Sequence, residues 1–388
     1  MSITLFILGL ILFIGLVVVH EYGHFIAARR NGVDVEEFGI FFPPTLFRRK
    51  TKKGWDFTIN ALPLGGFVKL KGEHDSDTEK GSFGAASTWV KTKIMLAGVF
   101  FNLLTALFIF TILAFVGMPK LIDDQFTIKK DTQLVSSKVL VGYIDKGSPA
   151  EKAGLKSQDE LTDVRASGRS PVAITKADDL PKVTKSFAGQ TVDLYIVRDG
   201  QLKQLKTTFL TKEAVEASKK TDNPKGYLGI VPADFVVQKS TWSAPVVAIG
   251  FTAQLTKLTF QGLGHAISGL GSIIAGAVTG NTDARQKGQT QASEQVAGPV
   301  GIFYILKNGT TLGIEYVLLI IGIISLTLAI MNILPIPALD GGRLWLMLAS
   351  RLFKKPIPAK TEEMINAIGF VVLISLMILV TFVDVKRF

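Results

Sequence analysis

No cysteine occurs among the 388 residues, so disulfides, thiolate metal sites and cysteine nucleophiles are excluded. Histidine is scarce as well, limited to His20, His24, His74 and His265. Any transition-metal site must therefore combine imidazoles with carboxylates. Acidic residues are outnumbered, with 32 Asp and Glu against 43 Lys and Arg, for a net charge of +11. No internal repeat stands out, which argues against a transporter built from duplicated halves. The first apolar run has no basic stretch before it and no small-residue cleavage site after it, so it reads as a retained span.

What the chain does have is apolar residues gathered into runs. They make up 48% of it and fall at residues 3–19, 94–118, 316–339 and 364–383. Each run is long enough for a transmembrane helix. A fifth stretch, 244–280, is Gly-rich and carries Gln254, Lys257, Gln261 and His265. It reads as an amphipathic helix lying at the membrane interface, with His265 an interfacial histidine. The predicted fold class is a multi-pass α-helical membrane protein with four transmembrane helices, a membrane-associated β-hairpin and an inserted β-rich domain.

The positive charge is not distributed as a nucleic-acid site would be. Arg48-Arg49-Lys50, Lys52 and Lys53 lie between the first two spans, and Arg343, Arg351, Lys354, Lys355 and Lys360 follow the third. In a four-span protein both loops share one side, which the positive-inside rule makes cytoplasmic. Both termini and the insert are then extracytoplasmic, and the expected partner is the lipid bilayer, not nucleic acid.

His20-Glu21-Tyr22-Gly23-His24 follows the first run directly. If the helix continues, the two histidines share one face a turn apart and can chelate one zinc ion, with Glu21 beside it as a base. The other constellation is Asn332-Ile333-Leu334-Pro335-Ile336-Pro337-Ala338-Leu339-Asp340-Gly341-Gly342-Arg343. Pro335 and Pro337 break a helix at membrane depth, which is tolerated only in protein or beside a polar cavity. Asp340 closes an uncharged run of 24 residues and needs a partner. It is either the third ligand of a zinc site or a helix cap paired with Arg343.

Between these motifs, residues 55–60 alternate like a strand and lead through Leu64-Gly65-Gly66-Phe67 into a second strand-like run. Gly65-Gly66 implies a hairpin or the close approach of another backbone. An edge there would pair with an extended substrate. His74 falls in a charged stretch and reads as a surface residue. Asn102, the main polar group of the second span, reads as a helix–helix hydrogen-bonding residue. Residues 281–294 read as a polar loop.

Residues 120–236 are polar and strand-rich. Pro149-Ala150-Glu151-Lys152-Ala153-Gly154-Leu155 resembles the signature of PDZ domains, although Gln158 stands where those domains usually have Gly. Such a groove binds an extended peptide or acts as a steric gate.

Taken together, HEYGH at the end of one span and Asn332-x-x-Pro-x-Pro-x-Leu-Asp340-Gly at the end of another resemble the site-2 protease family of intramembrane zinc metalloproteases. The inserted domain makes the resemblance closest to the bacterial branch of regulator of sigma-E protease type. One departure is Ala97-Gly98-Val99, where relatives commonly carry Gly-Pro near the asparagine matched by Asn102. The resemblance implies one zinc per chain held by His20, His24 and Asp340, Glu21 as catalytic base, and Asn332, Gly65, Gly66, Pro335 and Pro337 in substrate binding. It also implies single-span substrates, trimmed beforehand by another protease, of the anti-sigma-factor, remnant-signal-peptide or pheromone-precursor kind. The expected organisation is a protease half at 1–118, a PDZ domain at 119–236, an interfacial helix and linker at 237–293, and a second protease half at 294–388. A non-catalytic membrane adaptor is the alternative, but it has no use for Glu21.

Overall fold

The computed structural model describes residues 3–73, 77–221, 224–293, 298–354 and 357–387, so His74 lies outside the described residues. In chain order the elements begin with α1 (Ile3–Arg30), β1 (Val35–Lys50), β2 (Asp56–Leu70) and α2 (Thr88–Val116). There follow β3 (Met118–Pro119), β4 (Gln133–Ile144), α3 (Pro149–Lys152), β5 (Glu160–Arg165), β6 (Val172–Ala173) and α4 (Leu180–Ser186). Next come β7 (Thr191–Arg198), β8 (Gln201–Thr208), α5 (Lys212–Ser218) and β9 (Ile230–Lys239). The chain closes with α6 (Ala244–Thr279), α7 (Thr282–Ser293), α8 (Pro299–Gly309), α9 (Ile314–Ile333), α10 (Asp340–Leu352) and α11 (Ala359–Arg387). Two compact units result. A helical unit holds residues 3–112, 248–308 and 317–388, and a β-rich unit holds 113–247 and 309–316.

Five described helices, not four, are long and apolar enough to cross a membrane: α1, α2, α6, α9 and α11. The fifth is α6, whose mean hydropathy of 1.3 is well below the 2.4–2.8 of the others. It is continuous through its glycines and polar residues, and the hydroxyls of Thr252, Thr256 and Thr259 donate to carbonyls four residues back.

α1 is 28 residues long, about 42 Å, so its last turns reach past a bilayer core of about 30 Å. It runs antiparallel to α2, with His24 opposite Ile94 and His20 opposite Asn102. Small residues let the two backbones approach, as membrane helices require. A Cβ on Gly23 would lie 2.7 Å from the carbonyl oxygen of Ala97. α9 meets α2 through Ser325, whose hydroxyl donates to the buried Asn102 carbonyl at 2.8 Å.

Chain direction through α6 to α8 is informative. Phe251, early in α6, packs edge-on against Phe110, near the end of α2. α7 then folds back, with Gly288 against Gly269. Its polarity suggests a loop, yet it is helical. At the start of α8, Gly301 N–H donates to the buried carboxylate of Asp384, near the end of α11. Phe303 and Leu306 of α8 meet Phe6 and Gly9 at the start of α1. The excursion therefore begins and ends at the same end of the bundle.

The third apolar run does not reach Asp340 as one helix. α9 ends at Ile333, a six-residue turn carries both prolines, and α10 starts at Asp340. Where the basic residues suggest a loop, α10 buries Leu344 and Met347 against Ala28, Val33 and Leu70. Arg343 lies over the ring of Phe83 at the edge of that core and turns toward Glu73 and Glu362, and the arginines give the segment the look of a charged loop.

β1 and β2 form a folded ribbon, not a simple hairpin about Gly65-Gly66. Phe38 and Gly39 pair with Val68 and Phe67 on one side and with Phe57 and Thr58 on the other. The first half of β1 thus lies between the two halves of β2. Thr51–Gly54 makes the turn, and Gly66 sits inside β2 opposite Ile40.

The β-rich unit is an antiparallel sheet ordered β3-β9-β4-β5-β7-β8, with β6 paired to β5. Its core holds Val141, Val164, Phe187, Leu194 and Ile196 under α4. Gln158 takes φ +71°, so it fills a left-handed position that glycine would occupy without strain. Asp159, 1% exposed, accepts two 2.6 Å hydrogen bonds from Arg198. Asp131 accepts from the backbone N–H groups of Thr241 and Ser243 and from both hydroxyls. Burial pushes this carboxyl up, but the Ser243 and Thr241 donors outweigh it and hold it at about 2.

Candidate metal centre

The site is assembled from three helices of the helical unit. His20 and His24 lie one turn apart on α1, and α10 delivers Asp340 as its first residue. Each offers one atom to a common point. His24 Nε2 is 3.2 Å from His20 Nε2 and 3.1 Å from Asp340 Oδ2, and His20 Nε2 is 3.1 Å from the same oxygen. Among the described residues this is the one group of three such side chains that could hold a metal ion.

Asp340 is held in place by the turn before it. A Cβ on Gly341 would lie 2.3 Å from Leu334 O, and one on Gly342 would lie 2.2 Å from Ile336 O. Only glycine lets α10 start so close to the proline turn. Gly369 of α11 packs on Pro337 in the same way. Trp345 Nε1 donates to Ile333 O at 3.1 Å, tying α10 to the end of α9. The helix N-terminus favours the carboxylate's negative charge. Arg343 turns elsewhere, toward Glu73 at 3.5 Å and Glu362 at 3.9 Å, so it is not the partner of Asp340.

α2 supplies the second face. His24 Nδ1 donates to Ile94 O at 2.8 Å, which leaves Nε2 as the free lone pair. Gly98 lies under both rings, because a Cβ there would meet His24 Nε2 at 2.4 Å and His20 Cε1 at 2.5 Å. Neither Gly98 nor the Ile94 carbonyl was singled out from sequence. The spacing Gly98-x-x-x-Asn102, one face of one helix, is the signal that could have found them.

The donor set suits zinc. Tetrahedral zinc with bonds of about 2.0–2.1 Å to nitrogen and oxygen sets its donors about 3.3 Å apart. The triangle here has edges of 3.1–3.2 Å, with no fourth protein donor among the described His, Asp and Glu residues. That leaves one position open for water or substrate, the mark of a catalytic site.

Glu21 lines a cavity of about 330 Å³ together with His24, Asp340 and the strand segment from Gly66 to Leu70. A Cβ on Gly66 would meet Glu21 Cγ at 2.9 Å, so the strand passes directly over the carboxylate's stem. Gly65 and Gly66 also line a mainly apolar cleft with Phe13, Val17 and Glu21. Asn332 is half-buried in the last turn of α9, and Pro335 and Pro337 sit in the turn that delivers Asp340. None of these last three residues lines either cavity.

A family model described as "Peptidase family M50" matches residues 8–376. The chain is similar to "Putative zinc metalloprotease CPE1693" of Clostridium perfringens, 31% identical over 379 residues, 98% of each chain. It is also similar to "Putative zinc metalloprotease Cj1068" of Campylobacter jejuni, 28% identical over 96% of this chain and 90% of that one. A third similarity is to "Probable protease eep" of Enterococcus faecalis, 26% identical over 96% of both.

Proposed function

We propose that this chain, which belongs to peptidase family M50 and is a multi-pass membrane zinc metalloprotease, hydrolyses peptide bonds within or near the spans of single-span membrane proteins. The observation that carries this reading is one cavity shared by Glu21, two of the three converging ligands and a strand edge.

His20, His24 and Asp340 would hold the ion. When bound, zinc supplies Lewis acidity, polarising a carbonyl and lowering the pKa of water toward about 7. Glu21 accepts the proton of the attacking water and returns it to the leaving amine. A helical substrate hides its carbonyls in its own hydrogen bonds and must unwind first. The segment from Gly66 to Leu70 pairs with β1 along one side, and its other side faces the cavity. A substrate strand added there recovers backbone hydrogen bonds lost on unwinding. Asn332 contributes a side-chain hydrogen bond, and Pro335 and Pro337 keep the adjoining backbone out of helical form.

The distribution of basic residues between the loops supports an orientation with the catalytic end of α1 toward the cytoplasm of a bacterial inner membrane and the β-rich unit outside. The return of α8 to the end where α6 began supports an α6 that lies at the interface, since a single crossing would leave the chain on the other side. The β-rich unit is read as a PDZ domain of regulator of sigma-E protease type. Gly226-Tyr227-Leu228-Gly229-Ile230 leads into β9, and Ala177 N–H donates to Asp234 beside the first half of the β9 edge opposite β4, ahead of Val237 and Gln238 where β3 pairs. A peptide terminus fits there by strand addition, and the domain's bulk keeps out substrates that have not been trimmed.

The test is cleavage of a tagged single-span substrate in membranes by wild type and Glu21→Gln, with zinc measured on both. Retained zinc and a loss of activity of about 10²-fold or more is expected. Equal cleavage by both proteins would overturn the role of Glu21, and zinc on neither would overturn the metal site.

A further inference from the structure

Asn102 is completely buried at 0% exposure, on the face of α2 that carries Gly98. Its carboxamide lies beside His20, with Nδ2 placed 3.2 Å from His20 Nδ1. Its Oδ1 is buried without a hydrogen-bond partner. Leaving a buried carbonyl oxygen without a donor is costly, because its desolvation is not repaid. The orphan also sits one carboxamide rotation away from a ring nitrogen.

His20 directs Nε2 into the ligand triangle. A neutral imidazole carries one proton, so if Nε2 offers its lone pair, Nδ1 bears the hydrogen and must donate it. A carboxamide NH2 cannot accept it. Nitrogen and oxygen of a carboxamide exchange places on a 180° rotation, and the partner's needs decide between the two. Rotation brings Oδ1 to 3.2 Å from Nδ1 and ends its isolation.

We propose that Asn102 is a positioning residue for the metal centre, accepting a hydrogen bond from His20 Nδ1–H and thereby fixing His20 in the tautomer that presents Nε2. This rests on the reading of His20 as a zinc ligand. The two histidines are then held alike, His24 by the Ile94 carbonyl and His20 by the Asn102 carboxamide oxygen, both supplied by α2. The Ser325 hydroxyl, bound to the Asn102 main-chain carbonyl, locks that turn of α2 against α9. The side chain is thus free to serve His20 while the backbone joins the helices.

The experiment compares zinc affinity, by chelator competition on detergent-purified full-length protein, among wild type, Asn102→Leu, Asn102→Asp and His20→Ala. The d–d absorption of cobalt-loaded samples reports ligand geometry independently of activity. Asn102→Leu removes the acceptor at similar size and is expected to weaken zinc binding by about 10–100-fold and alter the cobalt spectrum. Asn102→Asp keeps an acceptor and is expected to bind zinc within a few-fold of wild type. Zinc binding by Asn102→Leu equal to wild type would overturn the proposal, as would a folded Asn102→Asp that loses zinc like the leucine variant. Should the aspartate variant fail to fold, histidine 15N NMR of zinc-loaded wild type and Asn102→Leu decides. A hydrogen-bonded Nδ1–H on His20 in wild type, perturbed in the leucine variant, supports the proposal, and an unchanged signal refutes it. Failure of the underlying reading is separate, because His20→Ala would then bind zinc as wild type does.

Discussion

Gly98→Ala adds a single methyl group to the turn of α2 beneath both histidines. The new Cβ would stand 2.4 Å from His24 Nε2, 2.5 Å from His20 Cε1 and 2.7 Å from His20 Nδ1. Ordinary carbon contacts begin at about 3.5 Å, so α2 and the rings must part by about 1 Å. The rings cannot simply rotate, since Ile94 O and Asn102 hold their other edges. Overpacking of this kind costs about 1–3 kcal/mol in stability. The effect on metal binding is larger, because ligand distances tolerate only about 0.2 Å. Expected is a folded protein whose zinc affinity falls at least about 10-fold, with cleavage falling in parallel. Gly15→Ala is the control: it lies on α1 with nothing within 4 Å of its would-be Cβ, so activity is unchanged. Wild-type zinc affinity in Gly98→Ala would refute the argument that α2 presses on the ligands.

Two further predictions concern the β-rich unit. Arg198→Met leaves the Asp159 carboxylate, 1% exposed, without its bidentate partner, and the unit should lose about 3 kcal/mol in denaturant unfolding. A shift within experimental error would show that water reaches Asp159. Asp131 has a folded-state pKa of about 2, below its unfolded value of about 3.9. Its contribution is therefore complete above about pH 4 and lost as pH falls through about 2. Asp131→Asn should flatten the pH dependence of stability across that window and lower stability at neutral pH, whereas an unchanged profile would refute the assignment.

The sequence made some of this architecture readable and hid the rest for physical reasons. His20 and His24 could be paired because helical spacing is local, and Asp340 drew notice as a charge closing an apolar run. Gly98 and Ile94 O could not be read that way, since their roles arise where two helices cross. Gly66 carried an ambiguous signal, and the close approach, to Gly39 O and Glu21, is the alternative the fold adopts. β1 escaped notice because Pro43-Pro44 interrupts its alternation and because half of it pairs on both sides. α10 was hidden by mixed composition, its buried Leu344 and Met347 being spaced among arginines. The polar α7 shows no apolar stripe, so only its packing on α6 reveals it.

His24 and Asp340 touch across 316 residues of chain. At a ribosomal rate of about 5–20 residues per second, roughly 15–60 s separate the synthesis of the first two ligands from that of the third. During that interval the nascent chain carries Glu21 and both imidazoles without the carboxylate that completes the set. The three-ligand set is complete only once Asp340 has been made and α10 has folded against α1 and α2.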